Sequence, residues 1–214
     1  MTVLKGVPAK NLYWKGLQFH RQWPSVEGKI GILAGSFNPP TIAHRELALA
    51  ASQHVDLIVC VVPRLFPHKE YNGATLEQRI EMLDASGLDI PHAIASTEKG
   101  LFIDIAREFR EHCGPATRLS FVCGRDAAER ILHWDYGRAG VVEEMLREFE
   151  LLVAPRGGHF SPPPEHRSRI HALRMRGGHE EVSSTEVRER IARGKPWEHL
   201  VPEKIRERVR EIYS

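Results

Sequence analysis

The sequence predicts an α/β fold: a parallel sheet with helices on both faces and a small helical subregion towards the C-terminal end. Three observations predict it. From Lys29 onward, short apolar runs alternate with amphipathic stretches, which is how β-α units of a parallel sheet appear in sequence. The first run ends in a Gly-containing turn that opens directly into an Ala- and Leu-rich stretch. Beyond Gly178 the remaining apolar residues fall at helical rather than strand spacing.

The elements follow in order. Ile30 to Ala34 is the first strand, and Ile42 to Gln53 the first helix; Leu57 to Val62, closed by Pro63, completes one β-α-β unit. Leu76 to Leu83 and Phe102 to Phe109 have helical spacing, with a short strand at Ala93 to Ala95 between them. Leu119 to Cys123 and Leu151 to Ala154 are two further strands. Between them Val142, Met145, Leu146 and Phe149 fall at i, i+3, i+4 and i+7, one face of a helix. His159 to Gly178, with Pro162 to Pro164 and a His/Arg-rich stretch, reads as a long loop leading into a short helix or irregular segment. Ser184 to Arg193 is a helix ended by Gly194, and Pro202 to Tyr213 another, with Ile205, Val209 and Ile212 on one face. The sum is a Rossmann-like sheet.

Composition sets the outer bounds. At 214 residues, 42% hydrophobic and 27% charged, the chain fits one globular domain with an extension and excludes disordered and fibrous classes. Its 30 basic and 28 acidic side chains leave a net charge of +2, too small to imply nucleic-acid or membrane partners by charge alone. Cys60, Cys113 and Cys123 show no C-x-x-C spacing and read as reduced thiols. No apolar run approaches the length of a spanning helix, and the start lacks the apolar core of a signal peptide, so the expectation is a cytoplasmic protein. Residues 1–28, with Tyr13, Trp14, Phe19 and Trp23 in no regular period, form an N-terminal extension of unknown role. Their aromatics pack on the edge of the main domain, 29–214, or serve as a lid or a contact between copies. A homo-oligomer stays open.

Two segments carry chemistry. Gly35-Ser-Phe-Asn-Pro-Pro-Thr-Ile-Ala-His44 lies between the first strand and the first helix, where backbone amides and a helix N-terminus favour an anion. Thr41 and His44, three apart, can face that anion together; a capping Thr and an ordinary helix His are the plain alternative. Ser183-Ser-Thr-Glu-Val-Arg188 opens another helix and offers hydroxyls, amides and a guanidinium to phosphate oxygens, or simply caps its own helix. Two such cradles point to a polyphosphate.

Taken with Phe66-Pro-His-Lys69, Gly124-Arg-Asp126, Leu152-Val-Ala-Pro-Arg156 and Leu200-Val-Pro202, these segments make the chain from Lys29 to about Tyr213 resemble the nicotinamide and nicotinate mononucleotide adenylyltransferases. These belong to the nucleotidyltransferases with an (H/T)-x-x-H motif. The resemblance implies adenylyl transfer from ATP to a pyridine mononucleotide, with pyrophosphate released and Mg²⁺ carried mainly by ATP oxygens. It implies catalytic roles for His44, Lys69 and Arg188. It implies ATP contacts from Gly35, Ser36, Phe37, Thr41, His44, Gly124, Asp126, Ser184, Thr185 and Arg188. Asn38, Lys69 and Trp134 would meet the mononucleotide, Trp134 by stacking on the pyridine ring; His68 and Arg156 would be neighbours of the site. Thr41 and Ala43 stand where many bacterial members have the first His and the Gly of H-x-G-H, and the Thr form is more like eukaryotic members. The resemblance implies no metal held by protein ligands alone. An adenylyl- or cytidylyltransferase for another phosphate-bearing acceptor, and a nucleotide-sensing module without turnover, are the competing readings.

Overall fold

In the computed structural model, residues 16–21, 28–64, 73–155, 158 and 160–214 are described. Seven strands form one sheet in the order β1-β4-β3-β2-β5-β6-β7: β1 Gln18–Phe19, β2 Lys29–Ala34, β3 Leu57–Pro63, β4 His92–Thr97, β5 Arg118–Gly124, β6 Glu150–Ala154 and β7 Ile170–Ala172. All neighbours are parallel except β1, which runs antiparallel to β4. Central β2 is flanked by β3 (Ile30 opposite Leu57) and β5 (Ile30 opposite Leu119). Every residue of β3 is buried, as expected of a strand covered on both faces.

Helices cover both faces. Strand side chains alternate between two apolar clusters, Ile32, Val59 and Phe121 to one, Leu33, Cys60 and Val122 to the other. The first cluster is closed by α3 (Phe102–Cys113), α4 (Arg125–His133) and α5 (Val141–Glu148), the second by α1 (Ile42–Ala51) and α2 (Leu76–Ser86). Within the first, the Phe102 ring stacks on Phe121 at 4.3 Å and Phe149 meets Phe121 edge-on at 4.8 Å. Each such pair contributes about 0.5–1.5 kcal/mol beyond the area it buries. A third cluster joins Met82 of α2 to α6 (Ser184–Ala192), α7 (Arg206–Tyr213) and Trp197, forming the C-terminal helical subregion.

Several elements differ from the sequence reading. β7 lies inside the stretch expected to be irregular: Ile170 is buried and the Leu173 amide donates to Val153 O, but a three-residue strand is too short to show a period. α4 was not expected, because its apolar residues are interrupted by Arg125, Asp126, Glu129 and Arg130. Pro202 to Tyr213 divides into a 3-10 turn at Glu203–Ile205 followed by α7. Of the stretch taken as an extension, residues 16–21 join the domain edge. Leu17 is buried in the first cluster, Phe19 packs edge-on against Phe109, and β1 pairs with β4. Tyr13, Trp14 and Trp23 lie outside the described residues.

All three cysteines are free. Burial pushes the Cys60 and Cys123 thiols up to about 12. Among the described residues no helix is long and apolar enough to cross a membrane.

Candidate active site

The chain runs from β2 outward through β3 to β4, then returns past β2 to β5 and continues to β6 and β7. That reversal opens a crevice at the carboxyl ends of β2 and β5, where an open α/β sheet takes its ligands. A cleft of about 580 Å³ lies there. Its floor is Leu33 and Ala34 of β2, Val122 to Gly124 of β5, and Ala154 of β6; its walls include Ser36, Asn38, His44, Phe102, Ala127, Ser183, Ser184, Thr185 and Arg188.

The turn after β2 aims His44 at the cleft. Thr41 is the N-cap of α1 and is buried; its hydroxyl accepts the His44 amide at 3.4 Å, while its own amide donates to His44 Nδ1 at 3.0 Å. A ring nitrogen that accepts from a backbone N–H is unprotonated, so the neutral imidazole carries its proton on Nε2. His44 is thereby a donor of fixed orientation. The Thr41 hydroxyl, expected to face the anion beside His44, lies 2.7 Å from His44 Nδ1 and does not line the cleft. Phe37, expected as a nucleotide contact, has its side chain turned inward. It adopts a left-handed backbone (φ 47°) and buries its ring beneath the turn, 4.9 Å from the His44 ring and 3.4 Å from where a Gly35 Cβ would stand. A bulky residue in that region costs of order 1–3 kcal/mol, and burial of the ring offsets it.

The second cradle, some 140 residues further on, joins the first. Ser183 caps α6 by accepting the Glu186 amide at 3.1 Å. Ser184 Oγ donates to Pro39 O at 2.8 Å, and Arg188 Nη1 donates to Asn38 O at 2.6 Å. The Arg188 fork also reaches Thr185 Oγ1 at 3.4 Å. The N-termini of α1 and α6 therefore open on one cleft, with two partial positive charges, an imidazole and a guanidinium around it. Both Ser184 and Arg188 fasten the turn as well as line the cleft.

Sequence reasoning missed several contributors. Buried Arg79 of α2 donates to Ser36 O at 3.1 Å; its position on the same helix face as Met82 and Leu83 was the available signal. Met175, Glu180 and Val182 form a further wall. That wall is latched to α1, where His179 Nδ1 meets Glu46 at 2.5 Å and a Cβ on Gly177 would lie 1.6 Å from the same Glu46 oxygen. Glu180 is the one carboxylate at the cleft, and no group of three metal-ligating side chains occurs, among the described residues.

The other expected residues are dispersed. Gly124 is the N-cap of α4 and lines the cleft; Asp126 is exposed in the first turn of α4, beside the cleft lining. Trp134, the C-cap of α4, is 52% exposed and does not line the cleft. The Asn38 side chain is buried and turned towards Ala74 and Tyr213. Phe66, His68, Lys69 and Arg156 lie outside the described residues.

Comparison with known proteins shows the family. Residues 32–190 match the cytidylyltransferase-like family. The chain is 30% identical over 201 residues to a probable nicotinate-nucleotide adenylyltransferase of Moorella thermoacetica, covering 86% of this chain and 89% of that protein. It is also 30% identical over 191 residues to that of Exiguobacterium sibiricum, covering 86% and 96%. The fold resembles that of Plasmodium falciparum nicotinic acid mononucleotide adenylyltransferase complexed with NaAD, at a TM-score of 0.67 and 18% identity, over 86% of this chain and 96% of the other. A second structure of that enzyme, complexed with APC, matches at a TM-score of 0.64. With two helix N-termini closing on one crevice of a doubly wound sheet, and relatives spanning most of its length, the chain belongs to the cytidylyltransferase-like nucleotidyltransferases, in the branch of the nicotinate-nucleotide adenylyltransferases.

Proposed function

We propose that this protein transfers the adenylyl group of ATP to nicotinate mononucleotide, releasing pyrophosphate and forming the dinucleotide NaAD. The observation that carries the reading is the convergence of the α1 and α6 N-termini with His44 and Arg188 on one cleft. The choice of nicotinate follows the names of the relatives. A phosphate oxygen of the mononucleotide attacks the α-phosphorus in line. One P–O bond forms, the bond from the α-phosphorus to the α–β bridging oxygen breaks, and that oxygen leaves on pyrophosphate.

The protein supplies no nucleophile. His44 Nε2–H, Arg188 and the amides at the two helix starts hold the phosphates and meet the charge that builds on the leaving group. Thr41 acts through His44, and Asn38 and Phe37 shape the turn beneath it. Ser184 and Thr185 border the β and γ phosphates, Gly35, Ser36 and Gly124 leave room for the nucleotide backbone, and Asp126 takes ribose hydroxyls. Lys69 neutralises phosphate, and Trp134 stacks on the pyridine ring. ATP would enter as its magnesium complex, phosphate oxygens being the ion's natural ligands, while among the described residues the cleft offers one carboxylate and one imidazole. Bound there, the ion would withdraw electron density from the phosphates that His44 and Arg188 hold. We place this reaction in the cytoplasm, which free thiols and an ATP substrate suit.

The test is pyrophosphate release from MgATP with nicotinate mononucleotide, nicotinamide mononucleotide and phosphopantetheine in parallel. Nicotinate mononucleotide is expected to lead. ATP binding without product from any acceptor would make the protein a sensor, and turnover with phosphopantetheine alone would reassign the acceptor.

A further inference from the structure

Asn38 is the point where three pieces of the chain meet. Its side-chain oxygen accepts the Ala74 amide at 3.1 Å and the Tyr213 hydroxyl at 2.5 Å, the latter across 175 positions of sequence. A Cβ on Gly73 would come within 2.5 Å of the Asn38 amide group, so the chain entering α2 passes directly over it. The carbonyl of the same residue takes the Arg188 guanidinium. The turn that carries His44, the start of α2 and the helix α7 thus meet at one buried amide, beside the Arg79 bond that also ties the turn to α2.

We propose that Tyr213 is a positioning residue for the reaction. Its hydroxyl holds the Asn38 side chain in place, and through Asn38 it sets the turn at 35–41 against α2 and α6. An amide oxygen has two acceptor sites, and here the Ala74 amide fills one and the Tyr213 hydroxyl the other, so losing the phenol removes one of the bonds that orient the amide. The terminal torsion of Asn is soft, so with one donor fewer the amide is held less firmly, and the Ala74 bond with it. The turn then loosens where it matters most. Three residues beyond Asn38, the Thr41 amide fixes the proton on the His44 ring, and a displacement of about 1 Å in a group that holds the reacting phosphates costs on the order of 10²-fold in rate. A loosened rather than displaced turn lies below that limit. The ring itself packs against the third apolar cluster, so loss of the ring and loss of the hydroxyl are separable changes.

The experiment compares Tyr213→Phe, which keeps the ring, with Tyr213→Ala, which does not. Its kinetic arm rests on the adenylyl-transfer reading; its hydrogen-exchange arm does not. In Tyr213→Phe, turnover should fall roughly tenfold while KM for both substrates stays within about twofold, a split expected when geometry rather than binding is lost. Amide exchange at Ala74 and Thr41 should quicken about tenfold, with the β5 amides unchanged. Tyr213→Ala should slow turnover to the same degree at a temperature where it is still folded, and should melt earlier. Turnover like the parent in Tyr213→Phe, a loss confined to Tyr213→Ala, or unchanged exchange at Ala74 would each overturn the proposal, leaving Tyr213 as packing only. If the parent itself releases no pyrophosphate, the functional reading fails and the exchange arm alone decides the role of Tyr213.

Discussion

On one side of the cleft, the turn at 35–41 is bonded to α2 by Arg79, to α6 by Ser184 and Arg188, and to α7 by Tyr213. Away from the cleft lining, Trp134 stands half exposed as the C-cap of α4. The contrast teaches where precision is needed. On the proposed roles, a triphosphate undergoing displacement demands donors fixed to a fraction of an ångström, whereas a ring stacked on Trp134 would need only a flat partner, since stacking tolerates sliding.

That contrast can be broken from either side. His44→Ala should cost on the order of 10²-fold to 10³-fold in kcat, with the fold intact, measured as pyrophosphate release. Near-normal turnover in that variant would end the role assigned to the imidazole. Trp134→Ala should behave differently: KM for the mononucleotide should rise roughly fivefold to tenfold, KM for ATP should hold, and the melting temperature should barely move, because a half-exposed ring contributes little to the core. An equal rise in both KM values would mean that the two sides are not distinct.

Smaller effects sharpen the comparison. Gly177→Ala would push the Glu46 carboxylate off His179 and free the wall formed by Met175, Glu180 and Val182. About 1 kcal/mol of stability should be lost, visible as a fall of roughly 2–4 °C in melting temperature, with the greater kinetic effect on KM for ATP. The smallest effect is a pH dependence. Burial, helped by nearby Arg64, holds the His20 imidazole below its usual pKa, and Ser96 bonds its ring at 2.8 Å. A depressed His pKa means that the unfolded chain takes the proton first. Stability is therefore full above the ordinary His value and falls as pH drops below it, towards the lowered folded value. His20→Gln should flatten the change in melting temperature between about pH 7.5 and 5.5. A variant as pH-sensitive as the parent would assign the effect elsewhere.

Much of the fold was legible because burial is periodic. The strands at 30–34, 57–62, 119–123 and 151–154 and the helices from 42, 76, 102 and 184 are written in apolar spacing, and each appears close to its expected bounds. β7 and α4 were not legible. One is too short to repeat, and the other carries small apolar residues between charges. The two cradles could be read as helix starts. That both serve one polyphosphate could also be read, but the bond that joins them, from Arg188 to a backbone carbonyl 150 positions away, leaves no mark in either segment. The inward turn of Phe37, Asn38 and Thr41 was hidden for the same reason, because a motif names residues but not their directions.

The thiol of Cys123 lies at the floor of the cleft, yet burial leaves it protonated at any physiological pH. Cys60, on the opposite face of the sheet, shares that state. An alkylating reagent therefore has no thiolate to attack while the sheet is closed, and its rate of uptake at these two positions becomes a clock for the opening of the central strands. At Cys60, which does not line the cleft, ATP should slow that clock through the stability it lends to the folded chain. The same labelling thus measures nucleotide affinity in variants whose turnover is too low to follow.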